Sequence, residues 1–359
     1  MKRLISLLFI LTVSLSALFV LAAPKLSVAV WVPYWKKTAG VAEVQTNLNK
    51  VSEISAFSYT VDKNGGVIDT TKIDSAPWPT LFASAKQQKT KIVPSVLWTD
   101  GTAIDKNLSN PILRQTHIDD IMGEVLGRGF DGIDIDYENK LASTSPYFTA
   151  FLCGLGAQLH AKNKILSCTV EARTPPTSRY LVVPKVIEYA NDYKALNKYC
   201  DEVRLMTYDQ GTADIKLNMA RRLGGVYYPI ADPVWVRKVL DLAIKDISPK
   251  KIMLGVATYG YELEVTDKNK YFDYKMIRSL SYNDLLALQS ATNRPLGRDN
   301  AGELALTYTS TTTGKVRFAT FSDAKAVADK VRIAQQYGLR GVAVFKVDGE
   351  SDSAYWKSF

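Results

Sequence analysis

The chain has 359 residues, 47% of them hydrophobic and 23% charged, with a net charge of +9. That composition excludes a disordered or low-complexity protein and suits one large domain or two small ones. No dense Arg/Lys run interleaved with aromatics is present, so nucleic acid is not an expected partner.

The opening "MKRLISLLFILTVSLSALFVLAAPK" has a positive start, an uncharged apolar run from Leu4 to Ala23, and small residues Val20 and Ala22 before a cleavage point. Residues 1–22 read as a secretory signal peptide, and 23–359 as the mature chain. The alternative is an uncleaved membrane anchor, since the run is just long enough to span a bilayer. The expected location is secreted or cell envelope, with no membrane contact beyond that segment. Loss of Lys2 and Arg3 with the leader would lower the net charge to +7, compatible with an anionic polymer outside the cell.

Eight short apolar runs follow: "LSVAVWVPYW" from Leu26, "VSEISAFSYTVD" from Val51, "TKIVPSVLW" from Thr90, "FDGIDIDYE" from Phe130, "KILSCTVEA" from Lys164, "DEVRLMTYD" from Asp201, "KIMLGVATYG" from Lys251 and "LRGVAVFKVD" from Leu339. They are rich in Val, Ile and aromatics and mostly apolar on both faces, as buried parallel strands are. Helical patterns separate them. One places Ile112, Ile118, Ile121, Met122 and Val125 on a stripe. Another begins at Pro233, with Val236, Val239, Leu240 and Ala243 on one face. A third ends at Gly338. Strand and helix alternating about eight times predicts a (β/α)8 TIM barrel, with a doubly wound sheet as the alternative. The stretch from about 262 to 320 is too long for one connection and reads as a small α+β insertion after strand 7. Only a short tail is left for the eighth helix.

Cys153, Cys168 and Cys200 form no metal-ligand spacing and read as buried apolar fillers, with one pair able to bridge under oxidising conditions. His117 and His160 lie on amphipathic patterns and read as helix-surface residues. A His-based triad or His-rich metal site lacks raw material, so neither cofactor nor metal is expected.

In "GFDGIDIDYENK", Asp134, Asp136 and Glu138 share one face of the fourth strand, and Ile133, Ile135 and Tyr137 share the other. On a barrel strand the acids point inward, with Glu138 at the C-terminal rim, where such barrels do chemistry. Burying three carboxylates is costly and raises the proton affinity of at least one. A carboxyl kept protonated near neutral pH serves as a general acid. A calcium loop fails on spacing, because the sixth position is Asn139 and the twelfth is Ser145.

"DGIDIDYE" resembles the DGxDxDxE signature of glycoside hydrolase family 18, the chitinase-like barrels, at Asp131, Gly132, Asp134, Asp136 and Glu138. "MTYD" (Met206–Asp209) and "LGVATYGYE" are similar to that family's strand 6 and strand 7 segments. "ISAFSYTVDKNGGV" and the segment from Asp232 to Glu262 resemble its bacterial spore-germination and cortex-lytic branch. The resemblance runs from about Val28 to the C-terminus. It implies a retaining glycosidase that cleaves β-linked N-acetylglucosamine polymers, peptidoglycan or chitin, by substrate-assisted catalysis. Glu138 would be the general acid/base, Asp136 would orient the substrate acetamide, Asp134 would share a proton with Asp136, and Tyr208 would hold the acetamide carbonyl. Asp209 and Met206 would contact the sugar. Tyr34 and Ser95 would donate to the acid relay. Trp98, Tyr137, Tyr259 and Phe345, with Trp35 and Tyr261, are candidates for stacking on sugar.

Two departures bear on substrate. The family's SxGG on strand 3 is here Ser95-Val96-Leu97-Trp98, and its strand 8 Trp is here Phe345, a smaller platform without the indole N–H. The implied partner is a polysaccharide, met by a monomer. Rival readings are an inactive carbohydrate-binding barrel and a metal-dependent hydrolase.

Overall fold

The computed structural model describes residues 26–269 and 271–359. The expected leader lies outside them. Among the described residues no helix is long and apolar enough to cross a membrane.

Eight parallel strands close a barrel: Ser27–Pro33, Glu53–Val61, Ser95–Trp98, Gly132–Tyr137, Ile165–Glu171, Glu202–Met206, Ile252–Ala257 and Gly341–Phe345. Closure runs through Val30, which pairs with Ile54 on one side and Val344 on the other. The Val- and Ile-rich runs form strands because both faces are covered, by barrel interior within and helices without. Two glycines are required by close approach. A Cβ on Gly132 would strike the Ile165 carbonyl, and one on Gly255 would strike the Leu205 carbonyl and the Tyr208 ring.

The helices carry their expected signals. Pro111 follows Asn110, whose side chain caps the Ile112 and Leu113 amides; Pro233 follows Asp232, which caps Val234. The helix ending at Gln336 passes into Gly338 at φ +60°. Ile118, Ile121, Met122 and Val125 are buried, whereas Ile112 is exposed in the first turn, off the expected stripe. After the eighth strand the described residues form a 3-10 helix, Ser353–Ser358.

Between the seventh and eighth strands the chain builds a five-stranded antiparallel sheet. It extends from Gly260 to Phe321 and carries the helix Tyr282–Thr292.

Two expectations are corrected. Cys168 and Cys200 are joined in a disulfide, because the fifth strand lies beside the segment that enters the sixth; Cys153 is exposed on its helix instead of filling the core. His117 is buried, not on a helix surface. Its Nδ1 donates to the Gly65 carbonyl (2.6 Å), its Nε2 accepts from the Tyr137 hydroxyl, and burial lowers its pKa to about 4.

Candidate active site

Alternation along the fourth strand turns Asp134 and Asp136 into the barrel, where both are buried. Asp134 is saturated. Its Oδ2 accepts from Ser95 Oγ (2.6 Å) and Trp31 Nε1 (3.3 Å), and its Oδ1 from Ser167 Oγ (2.7 Å) and Thr169 Oγ1 (2.9 Å). The Arg204 guanidinium stands 3.5 Å away. Burial raises the Asp134 pKa to about 6 against the pull of these hydroxyls.

Arg204 also pairs with Glu53 and Glu202, so a neutralised charged layer lies beneath the acid strand. Glu202 and Arg204 occupy alternate positions of "DEVRLM", a period-two signal inside an otherwise apolar run, and Glu53 comes from the second strand.

Asp136 differs. Its Oδ1 is buried with no hydrogen-bond partner among the described residues. Burial and then the negative charges of Glu138 and Asp134 hold its pKa well above the carboxylate range. Glu138, just past the strand, is half-buried. Burial and Glu171 raise its pKa, and Lys140 opposes them.

These acids line one side of a cavity of about 320 Å3. Asp136, Glu138, Glu171 and Asp209 come from the ends of the fourth, fifth and sixth strands. Trp31, Phe57 and Phe345, from the first, second and eighth strands, form the facing apolar wall, and Met206 and Tyr208 join them. The Tyr208 ring stacks on Phe345 (centroids 5.7 Å apart, planes at 16°), and Trp31 meets Phe345 edge-on at 5.9 Å. Asp209 has φ +54° and accepts at Oδ1 from the hydroxyls of Tyr259 (2.8 Å) and Tyr261 (2.5 Å). A second cavity, about 430 Å3, shares Asp209 and Phe345 and adds Trp35, Tyr259 and Tyr261 at the foot of the inserted sheet.

The structure therefore brings together Asp134, Asp136, Glu138, Ser95, Met206, Tyr208, Asp209, Tyr259 and Phe345. It separates three expected residues from them. Trp98 and Tyr137 point outward into the helix layer, because each alternates with an inward residue. They pack on each other (5.5 Å) and on His117, so neither reaches sugar. Tyr34 is an exposed rim residue set edge-on to Trp35 at 4.9 Å and makes no bond to the acids. The first strand's donor is Trp31, which also bonds Ser95 Oγ at 2.9 Å.

Lys140 and Glu171 also went unforeseen. The Lys140 side chain is fully enclosed; its ammonium donates to the Tyr137 carbonyl and lies 3.9 Å from Glu171 and 4.7 Å above the Phe148 ring. Glu171 is fixed by the Asn139 amide (3.0 Å) and the Asn191 side chain (2.9 Å).

A closed barrel with Glu138 just past its acid strand, and a tyrosine–aspartate pair just past the sixth strand, has the layout of a glycosidase barrel. Residues 30–350 match the glycosyl hydrolases family 18, and the chain belongs to that family. It is 23% identical to an uncharacterized glycosylase, YvbX, of Bacillus subtilis over 86% of this chain and 83% of that protein. It is 21% identical to the cortical fragment-lytic enzyme of the same organism, over 82% of this chain and 64% of that protein. Among solved structures, the Bacillus cereus spore cortex-lytic enzyme SleL shares the fold with a TM-score of 0.73 at 20% identity, over 93% of this chain and 73% of that one. A chitinase from Chromobacterium violaceum does so with a TM-score of 0.72 at 20% identity, over 93% and 98%.

Proposed function

We propose that this glycosidase cleaves β-linked N-acetylglucosamine polymers with retention, using the substrate's own acetamide as nucleophile and Glu138 as acid and base. The observation that carries the reading is the unpartnered, buried Oδ1 of Asp136 on the acid wall that Glu138 shares. An acetamide N–H entering the cavity supplies the missing bond and turns its oxygen toward the anomeric carbon. Glu138, its proton affinity raised by burial, protonates the glycosidic oxygen. The C–O bond breaks as the acetamide oxygen bonds to the anomeric carbon, giving an oxazolinium ion. Asp136 stabilises the positive charge, and Tyr208 holds the acetamide oxygen. Water deprotonated by Glu138 then opens the ring and regenerates the acetamide. Phe345 and Trp31 form the platform for the sugar face.

The names of the cortical fragment-lytic and cortex-lytic relatives favour peptidoglycan over chitin. Export, with residues 1–22 as leader, is supported by the Cys168–Cys200 disulfide, which belongs to an oxidising compartment. The enzyme acts as a monomer in this reading.

The test incubates the chain from Ala23 onward, and its Glu138→Gln variant, with chitin oligosaccharides and with purified peptidoglycan. Products are identified by mass spectrometry. Fragments from the parent alone support the reading, and the responding polymer names the substrate. Binding without cleavage by both proteins replaces it with a carbohydrate-binding barrel.

A further inference from the structure

A separate cavity of about 220 Å3 lies between the helix Ile215–Arg221 and the hairpin of the inserted sheet. The segment Asp209–Ala213 borders both hollows: Asp209 and Ala213 line the catalytic one, and Thr212 lines this one. Ile215, Asn218, Met219 and Arg222 recur at i, i+3, i+4 and i+7, so one helical stripe faces the cavity. Tyr227, Phe272 and Tyr274 line it as well. Tyr274 is fixed by a 2.8 Å bond from its hydroxyl to the Tyr227 carbonyl.

Two polar atoms on the stripe are buried and unpartnered among the described residues: the acceptor Asn218 Oδ1 and the donor Arg222 Nε. The Asn218 amide is oriented by its Nδ2, which donates to the Gly211 carbonyl at 3.3 Å. Arg222 is committed at its other end, where Nη2 donates to the Asn269 carbonyl (2.6 Å) and faces Asp267 (3.6 Å), with the guanidinium over Phe272. Buried polar groups without partners are costly. One free donor and one free acceptor a helical turn apart match the C=O and N–H of a secondary amide. The aromatic lining suits the C–H face of a pyranose ring and an acetyl methyl. The volume takes one sugar ring.

We propose that this cavity is a second carbohydrate site, which binds an N-acetylhexosamine unit of the polymer through its acetamide, outside the catalytic pocket. The proposal rests on the polymer assignment made above. Because one chain segment walls both cavities, a single polysaccharide that carries acetamides along its length has the ligand for each.

The molecule contains its own reporters. Met206 lines the catalytic cavity and Met219 the second. In Glu138→Gln protein carrying 13C-methyl methionine, N,N′-diacetylchitobiose is expected to shift both methyl signals. Its de-N-acetylated counterpart is expected to leave Met219 unmoved. Asn218→Leu is expected to weaken the Met219 response about tenfold, with the Met206 response unchanged as evidence of folding. A Met219 signal that ignores the acetylated sugar while Met206 responds overturns the proposal. So does an equal response to both sugars, or a response only to an alanyl peptide amide. A Met219 response without one at Met206 supports the second site and sinks the catalytic reading instead.

Discussion

Replacing Lys140 by methionine removes the enclosed cation that opposes the rise in the Glu138 pKa, while keeping most of the side chain's volume. At the 3.9 Å separation from Glu171, a unit charge pair is worth about 4 kcal/mol at an effective dielectric of ~20. Glu171 is 43% exposed, so solvent screens most of that, and about 1 kcal/mol reaches the neighbouring Glu138. Glu138 is faced by Asp136 on its own strand, Glu171 from the fifth, and Tyr208 and Asp209 from the sixth. Losing the cation leaves only like charges and dipoles, so Glu138 holds its proton to higher pH. The general acid must be protonated to act, and kcat/KM falls as pH rises through its pKa. In Lys140→Met that basic limb is expected to move up by about 0.5–1 pH unit. In Glu171→Gln the same limb is expected to move down, and in the double variant to return near the parent. The assay is the pH profile of kcat/KM on a chromogenic N-acetylglucosamine oligosaccharide. Shifts of both variants in one direction, or none, refute charge coupling and leave Lys140 a packing residue.

Three further outcomes follow from the geometry. Trp31→Phe keeps an aromatic, if smaller, ring but removes the N–H given to Ser95 and Asp134. It is expected to cost about 1–2 kcal/mol of stability and to lower kcat more than it changes KM; an unchanged kcat contradicts this. Asp136 binds its proton more tightly folded than unfolded, so its contribution to stability is lost as pH rises from the unfolded value near 4 towards the raised native one. Asp136→Asn is therefore expected to gain Tm relative to the parent progressively as pH rises above about 4, while losing activity. A Tm difference that does not vary with pH rejects that reasoning. Replacing Cys168 and Cys200 by alanine opens a loop with a sequence separation of 32 and is expected to cost roughly 3–4 kcal/mol. An unchanged denaturant midpoint indicates that the bond does not form in solution.

The acid strand was legible because a period of two is unambiguous: Asp134 and Asp136 face inward, and Glu138 follows at the rim. The same period, applied strictly, places Tyr137 and Trp98 outside the barrel; listing them with the sugar platform set residue type above residue position. Trp31 was hidden inside "VAVWVP", where both faces are buried and alternation carries no contrast. Lys140 and Glu171 sit at strand exits, where loop conformation, including Asn139 at φ +56°, decides what meets. His117 lay on a helical pattern that does not say which strand side chain, here Tyr137, lies across from it. The Cys168–Cys200 pairing depends on strand adjacency, which spacing along the chain does not encode.

The most direct measurement follows the anomeric protons of the first product released from a β-linked N-acetylglucosamine hexamer, by NMR, before mutarotation. Acetamide participation with Glu138 as acid and base yields the β anomer from the parent and no product from Glu138→Gln. An α anomer, or undiminished release by the variant, contradicts the mechanism.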